Sequence, residues 1–316
     1  MTLPTSFEFL LSWKFIIIYV LLFATLYVHF RGKERRPLLR QIGDHNTLIA
    51  PYNLFMYWFS AVPARPILDV DDFPQLRMLR DNWQVIRDEA AHLLEQGQIA
   101  AATGHNDLGF NSFFRTGWKR FYLKWYDAPL PSALATCPKT VALVEQIPTV
   151  HAAMFAVLPP GSKLNPHRDP FAGSLRYHLG LSTPNDDACR IYIDGTMYSW
   201  RDGQDIVFDE TFVHSAANDT NQTRIILFCD VERPLRTPVM RWINRLISNT
   251  LIRAASTQNV PTENVGLLNR LYAAVGAVTT PIDEFLDRIK RKNRRAYKIA
   301  KYALILSVAY LLFVVW

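Results

Sequence analysis

The sequence predicts a mainly-β chain with flanking helices: a jelly roll set between one N-terminal and one C-terminal transmembrane helix. Three observations predict it. From residue 151 onward short apolar stretches alternate with turn residues at tight spacing, the texture of an antiparallel barrel or jelly roll. Two almost wholly apolar runs lie at 13–30 and 299–316. The basic residues crowd beside those runs and not over the middle of the chain.

The first run, WKFIIIYVLLFATLYVHF, has only Lys14 and His29 as strongly polar residues, both near its ends. Eighteen helical residues reach roughly 27 Å, near the thickness of a bilayer's hydrocarbon core. A cleaved leader is the rival. The basic cluster follows the apolar run, however, and no small-residue cleavage site comes after it. The run at 299–316 mirrors the first and has no polar face. Residues 31–40 and 288–301 hold 13 of the 35 Lys and Arg residues and a single acid, Glu34. Both clusters lie on the side of the apolar runs that faces the middle of the chain, so the charge bias predicts a cytoplasmic body with both termini across the membrane. The remainder has 22 basic against 27 acidic residues, which argues against a basic nucleic-acid-binding face.

The intervening elements follow in order. Residues 31–73 form a juxtamembrane or interfacial segment, whose apolar, aromatic stretch at 48–62 is interrupted by Pro51. That stretch reads either as buried core or as an interfacial element. Residues 74–96 carry Leu76, Leu79, Trp83, Ile86, Ala90, Leu93 and Leu94 at helical spacing, and Gly97 stops the pattern. A second helix is expected over 139–146, after Pro138. The segment 175–181 alternates, with Arg176 and His178 on one face and Leu175, Tyr177 and Leu179 on the other. Asp194-Gly195 joins two short strands as a hairpin. Residues 74–233 thus form the jelly-roll domain with its N-terminal helices. Residues 234–298 read as an amphipathic helical, membrane-associated region. Within it, 240–255 either lies on the membrane surface or docks as a helix on the protein. The three cysteines, Cys137, Cys189 and Cys229, have no disulfide or zinc spacing, consistent with a reducing compartment.

Chemistry concentrates in NPHRDP (165–170), LRYHLGL (175–181), FDETFVH (208–214) and TRIILF (223–228). Two histidines and one carboxylate on one face of a metal, with open positions opposite, suit non-haem iron. His167 and Asp169 project the same way from an extended segment, and His214 follows on another strand. Alone, the H-X-D pair also suits an Asx turn between Pro166 and Pro170. Arg224 comes ten residues after His214 at the head of an apolar strand. There it meets either an internal carboxylate or a bound dicarboxylate.

Taken together, PPGSKLNPHRDP, LRYHLGL, GQDIVFDETFVH and TRIILFCDV resemble the aspartyl/asparaginyl β-hydroxylase family of Fe(II)/2-oxoglutarate dioxygenases. The motifs cover about 159–233. With the two apolar ends, the chain is similar to the bacterial lipid A 2-hydroxylase branch. The resemblance implies a double-stranded β-helix, cupin-like domain. It implies iron at His167 and His214, Arg176 and His178 near the 2-oxoglutarate carboxylates, and Arg224 on the distal carboxylate. Asp169 stands where the protein-modifying members carry glycine, and the facial geometry makes it the expected third ligand. The activity implied consumes O2 and 2-oxoglutarate and hydroxylates C2 of a fatty acyl chain of lipid A at the bacterial inner membrane, with the catalytic domain cytoplasmic. The rivals are a membrane-bound Asp/Asn hydroxylase of proteins and a non-catalytic, cupin-like sensor of a metal or dicarboxylate.

Overall fold

Alternating strands with one apolar and one mixed face close two antiparallel sheets against each other. The computed structural model describes residues 12–38, 41, 46–101, 107–126 and 128–310. Its strands are β1 (Ile67–Leu68), β2 (Lys119–Trp125), β3 (Val150–Leu158), β4 (Lys163–His167), β5 (Ser174–Ser182), β6 (Cys189–Ile193), β7 (Thr196–Ser199), β8 (Asp205–Phe208), β9 (His214–Asn218) and β10 (Arg224–Glu232). A six-stranded sheet runs β1-β8-β5-β10-β3-β2 and a four-stranded sheet runs β4-β9-β6-β7. The helices are α1 (Trp13–Phe30), α2 (Asn46–Trp58), α3 (Arg77–Asp81), α4 (Trp83–Glu95), α5 (Asn111–Phe114), α6 (Pro131–Thr136), α7 (Pro138–Glu145), α8 (Pro238–Ile247), α9 (Leu267–Lys292) and α10 (Arg294–Tyr310).

The alternation expected in β5 is present and decides the layering. Leu175, Tyr177, Leu179 and Leu181 are fully buried, and α4 packs on this strand with Ile86, Ala90 and Leu93 inward. Arg176 and His178 on the other face line the cavity between the sheets. The Asp194-Gly195 hairpin forms, with both residues at positive φ (51° and 82°), as a two-residue turn of that twist requires. The helix expected over 139–146 is α7.

The single helix expected over 74–96 is broken. A 3-10 turn at Pro74–Leu76 leads into α3, and Asn82 separates α3 from α4 while its side-chain amide donates to the Met78 carbonyl (2.8 Å). Asn competes for backbone groups in this way, which interrupts a helix that periodicity alone would continue. Residues 48–62 are in part the core expected of them. Ala50, Leu54 and Tyr57 pack with Ala24 and Val28 of α1, while Leu48, Phe55 and Trp58 stay exposed.

The two expected transmembrane spans find no support among the described residues. Among the described residues no helix is long and apolar enough to cross a membrane. The 13–30 run is helical, but Ala24, Thr25, Val28 and His29 are buried. Among the described residues that leaves eleven helical positions, 13–23, ahead of the packed portion, roughly 16 Å of helix against a hydrocarbon core of about 30 Å. Toward the other end α10 reaches Tyr310, and residues 311–316 of the expected second span lie outside the described residues.

Candidate metal centre

His167 ends β4 and His214 begins β9, and the two are direct cross-strand partners. Neighbouring antiparallel strands bring such pairs within a few ångströms, and the ring centroids stand 4.2 Å apart. Asp169, two residues after His167, joins them, so that one ligand atom from each of the three lies within 4.8 Å of the others. Among the described residues this is the one His/Cys/Asp/Glu group so arranged. Burial, and next to it His167, lowers the pKa of His214 to about 3, so the ring is a neutral imidazole at physiological pH.

The donor set fits a divalent iron. His167 Nδ1 lies 2.7 Å from the Asn165 carbonyl oxygen and His214 Nδ1 lies 3.0 Å from that of Phe212. A carbonyl only accepts, so each Nδ1 carries the proton and each Nε2 keeps its lone pair for a metal. Asp169 supplies the hard anionic oxygen that a two-histidine, one-carboxylate iron site uses. Its Oδ2 accepts from Arg176 Nη2 at 2.8 Å, and its backbone N–H donates to the Glu210 carbonyl at 3.0 Å. The Asx turn weighed for this carboxylate is thus not its main contact.

Arg176 has different neighbours from the dicarboxylate the sequence suggested. Its guanidinium meets Asp169, Glu210 and Asp230, the last at 3.3 Å across the β5–β10 register. It also lies over the Phe228 ring at 3.7 Å. Three carboxyls face one cation in a dry environment. Burial, reinforced by Asp230 and Asp169, pushes Glu210 up to about 8 against the pull of Arg176. Burial likewise raises Asp230, while Tyr126 donates to it at 3.0 Å.

Arg224 is the reverse case. It is fully buried with no carboxylate partner among the described residues, its Nε has no hydrogen-bond acceptor, and it lies over the Trp200 ring at 4.3 Å. Burial lowers it to about 10, still a cation at neutral pH. The internal salt bridge considered from sequence is absent there. His178 is also buried, and neither ring nitrogen has a partner. Burial, with Arg176 and Arg224 nearby, holds it well below the usual histidine value, hence neutral. One unneutralised cation and unpaired buried polar atoms in one cavity are what an incoming carboxylate would satisfy.

The cavity is lined by all six residues singled out in the sequence. Phe110, Phe113, Trp118, Leu164 and Phe228 make its apolar wall, with Phe113 stacked edgewise on His167 at 4.7 Å. Sequence reasoning missed this wall, the carboxylates Glu210 and Asp230, and Trp200. Acids inside the apolar strand runs VFDE and LFCDV were the available signal for the carboxylates. Arg168, between the two ligand candidates, was missed as well. It donates to the Val28 (2.5 Å), Arg31 (3.3 Å) and Glu34 (3.3 Å) carbonyls and so fastens the end of α1 behind the site. The spacing His214-X4-Asp219 matches the pair a lipid acyltransferase would use, but Asp219 is engaged by Lys163 (2.9 Å) and Arg190 (3.0 Å).

A jelly roll that gathers a His-Asp-His group beside a buried arginine with no carboxylate partner among the described residues suits a hydroxylating oxygenase. The aspartyl/asparaginyl beta-hydroxylase family model matches residues 80–234. An ornithine lipid ester-linked acyl 2-hydroxylase of Rhizobium tropici is 33% identical over 189 residues, 59% of this chain and 67% of that protein. The aspartyl/asparaginyl beta-hydroxylase of Homo sapiens is 28% identical over 171 residues, covering 52% of this chain and 22% of that protein. Among solved structures, a Pseudomonas putida prolyl-4-hydroxylase matches at 17% identity over 48% of this chain and 87% of that one, with a TM-score of 0.36. The chain belongs to the aspartyl/asparaginyl β-hydroxylase family, a family of hydroxylases that includes a bacterial lipid 2-hydroxylase.

Proposed function

We propose that this protein is an Fe(II)- and 2-oxoglutarate-dependent dioxygenase that hydroxylates C2 of a fatty acyl chain of a membrane lipid, with lipid A the first candidate. The observation that carries the reading is the pairing of two half-sites in one cavity. The three facial donors stand on one side, and the unneutralised Arg224 with His178 stands on the other. His167, Asp169 and His214 would hold iron through two Nε2 atoms and one carboxylate oxygen. Iron there would supply O2 activation coupled to oxidation of 2-oxoglutarate.

The chain's own residues do the rest. Arg224 gives the dicarboxylate a buried cation, which a carboxylate engages at two points. Arg176 fixes Asp169 and is itself held by Glu210 and Asp230. The aromatic wall excludes water and offers an apolar path for an acyl chain.

Working at the cytoplasmic face of a bacterial inner membrane is part of this proposal. It is supported by the exposed apolar residues Trp13, Ile16 and Phe23 on α1, Leu48, Phe55 and Trp58 on α2, and Val239, Trp242 and Leu246 on α8. Arg241, Arg245 and Arg253 flank the last group, and residues 238–255 contain no acid. Such a face suits an anionic lipid surface. The Rhizobium tropici relative favours ornithine lipid as a second substrate reading.

Mass spectrometry of total lipids and of lipid A, from cells with and without the chain, tests it. Gain of one oxygen on an acyl chain of lipid A supports the first reading, and the same gain on ornithine lipid alone supports the second. No change in either lipid, with 2-oxoglutarate turnover on a protein substrate, would move the activity to a side chain.

A further inference from the structure

Beside Arg176, His178 and Arg224, the cavity contains a fourth residue with an unsatisfied polar atom, and it is neither a metal-ligand candidate nor one of the expected dicarboxylate contacts. Trp200 is fully exposure-free and lines the same cavity as Arg224 and His178. Its indole Nε1 is buried and has no hydrogen-bond partner. A buried indole N–H normally finds an acceptor, because leaving it unpaired forfeits its bond to water. The neighbouring polar groups offer none. Arg224 lies 4.3 Å over the Trp200 ring and is a donor only. His178 stands 6.0 Å away between ring centroids.

We propose that the Trp200 indole N–H is a second donor, beside Arg224, to the distal carboxylate of the bound dicarboxylate. The proposal rests on the 2-oxoglutarate reading above. A carboxylate has two oxygens and about four acceptor positions, so one carboxylate can take Arg224 and Trp200 together. The ring is placed for this by backbone, not by chance packing. After Trp200 the chain turns back onto β5: Gly203 N–H donates to the Gly180 carbonyl, and Gly180 N–H to that of Gln204, both at 2.9 Å. A Cβ at Gly180 would meet the Arg201 carbonyl oxygen at 2.0 Å, so the close approach that seats Trp200 requires glycine. Stacking under Arg224 also sets the indole beside the cation the carboxylate must reach. The arrangement selects for length. A dicarboxylate whose second carboxylate falls short of the Arg224–Trp200 pair leaves both donors unpaired.

The test uses the full chain with zinc in place of iron, without oxygen, and titrates 2-oxoglutarate by calorimetry. Trp200→Phe keeps the ring under Arg224 and removes the donor. Its dissociation constant for 2-oxoglutarate should rise roughly tenfold or more, the usual weight of a hydrogen bond to a charged group, while zinc affinity stays unchanged. In the isotope-labelled wild type, the indole N–H resonance missing from the variant should move downfield on adding 2-oxoglutarate. That readout stands even where Trp200→Phe folds poorly. Equal affinities with an unmoved resonance would overturn the proposal and leave the 2-oxoglutarate reading intact. No binding to the wild type would overturn both.

Discussion

Arg176 Nη2 donates to Asp169 Oδ2 at 2.8 Å, so the carboxylate beside His167 is oriented by a guanidinium that two further buried carboxyls hold in place. Replacing Arg176 with an apolar residue would strand Glu210 and Asp230 and cost about 3–5 kcal/mol. Arg176→Lys is the cleaner variant: it keeps the charge and loses the planar fork. Its iron affinity should fall about 10- to 100-fold, as for other residues that orient metal ligands. Asp169→Gly should bind iron markedly less well and lose most turnover even with iron in excess. Near-normal rates under excess iron would reduce the site to two histidines.

Arg224→Ala should raise the 2-oxoglutarate concentration needed for turnover far more than it changes the lipid requirement. Arg224→Lys should rescue only part, since an ammonium cannot make the two-point pair. Steady-state kinetics with each substrate varied in turn decides it. Parallel losses for both substrates would take Arg224 out of this role.

Acid stability should depend on Asp209. Burial alone would raise this carboxyl, but Arg233 (2.9 Å) and Arg31 (2.5 Å), with Thr211, hold it far below the usual 3.8. A carboxyl depressed on folding stabilises fully above its unfolded pKa, and the contribution is lost as pH falls through the folded value. The window therefore opens near pH 4 and extends to strongly acidic pH. Asp209→Asn should be less stable at pH 7 and show a shallower loss below pH 4, measured by denaturant unfolding across pH.

Cys137, Cys189 and Cys229 are free and buried. Burial pushes all three thiols up, Cys137 to about 12, so they act as small apolar side chains and not as nucleophiles. Joint replacement by Ala or Val should leave turnover intact with a modest loss in melting temperature. Loss of turnover in a folded triple variant would give one of them a chemical role.

By itself the sequence determined the two-sheet β architecture, the alternation of β5, the Asp194-Gly195 turn and the six residues that line one cavity. These follow from local rules: strand period, turn stereochemistry, and the donor types that chemistry at a metal demands. Tertiary structure decided what each of those side chains faces. Arg176 and Arg224 look alike in sequence, each a lone arginine in an apolar strand. Only the register that sets Asp230 opposite Arg176, and leaves Arg224 against Trp200, makes one a neutralised brace and the other an open cation. The same holds for α1. Its apolar run reads as a membrane span, because composition records how apolar a segment is and not what will cover it. Packing against α2, with Arg168 capping its end, buries one face of its last two turns, Ala24, Thr25, Val28 and His29, in protein. Charge pairing and burial are non-local quantities, settled by residues far apart in the chain, and so they appear only once the sheets have closed.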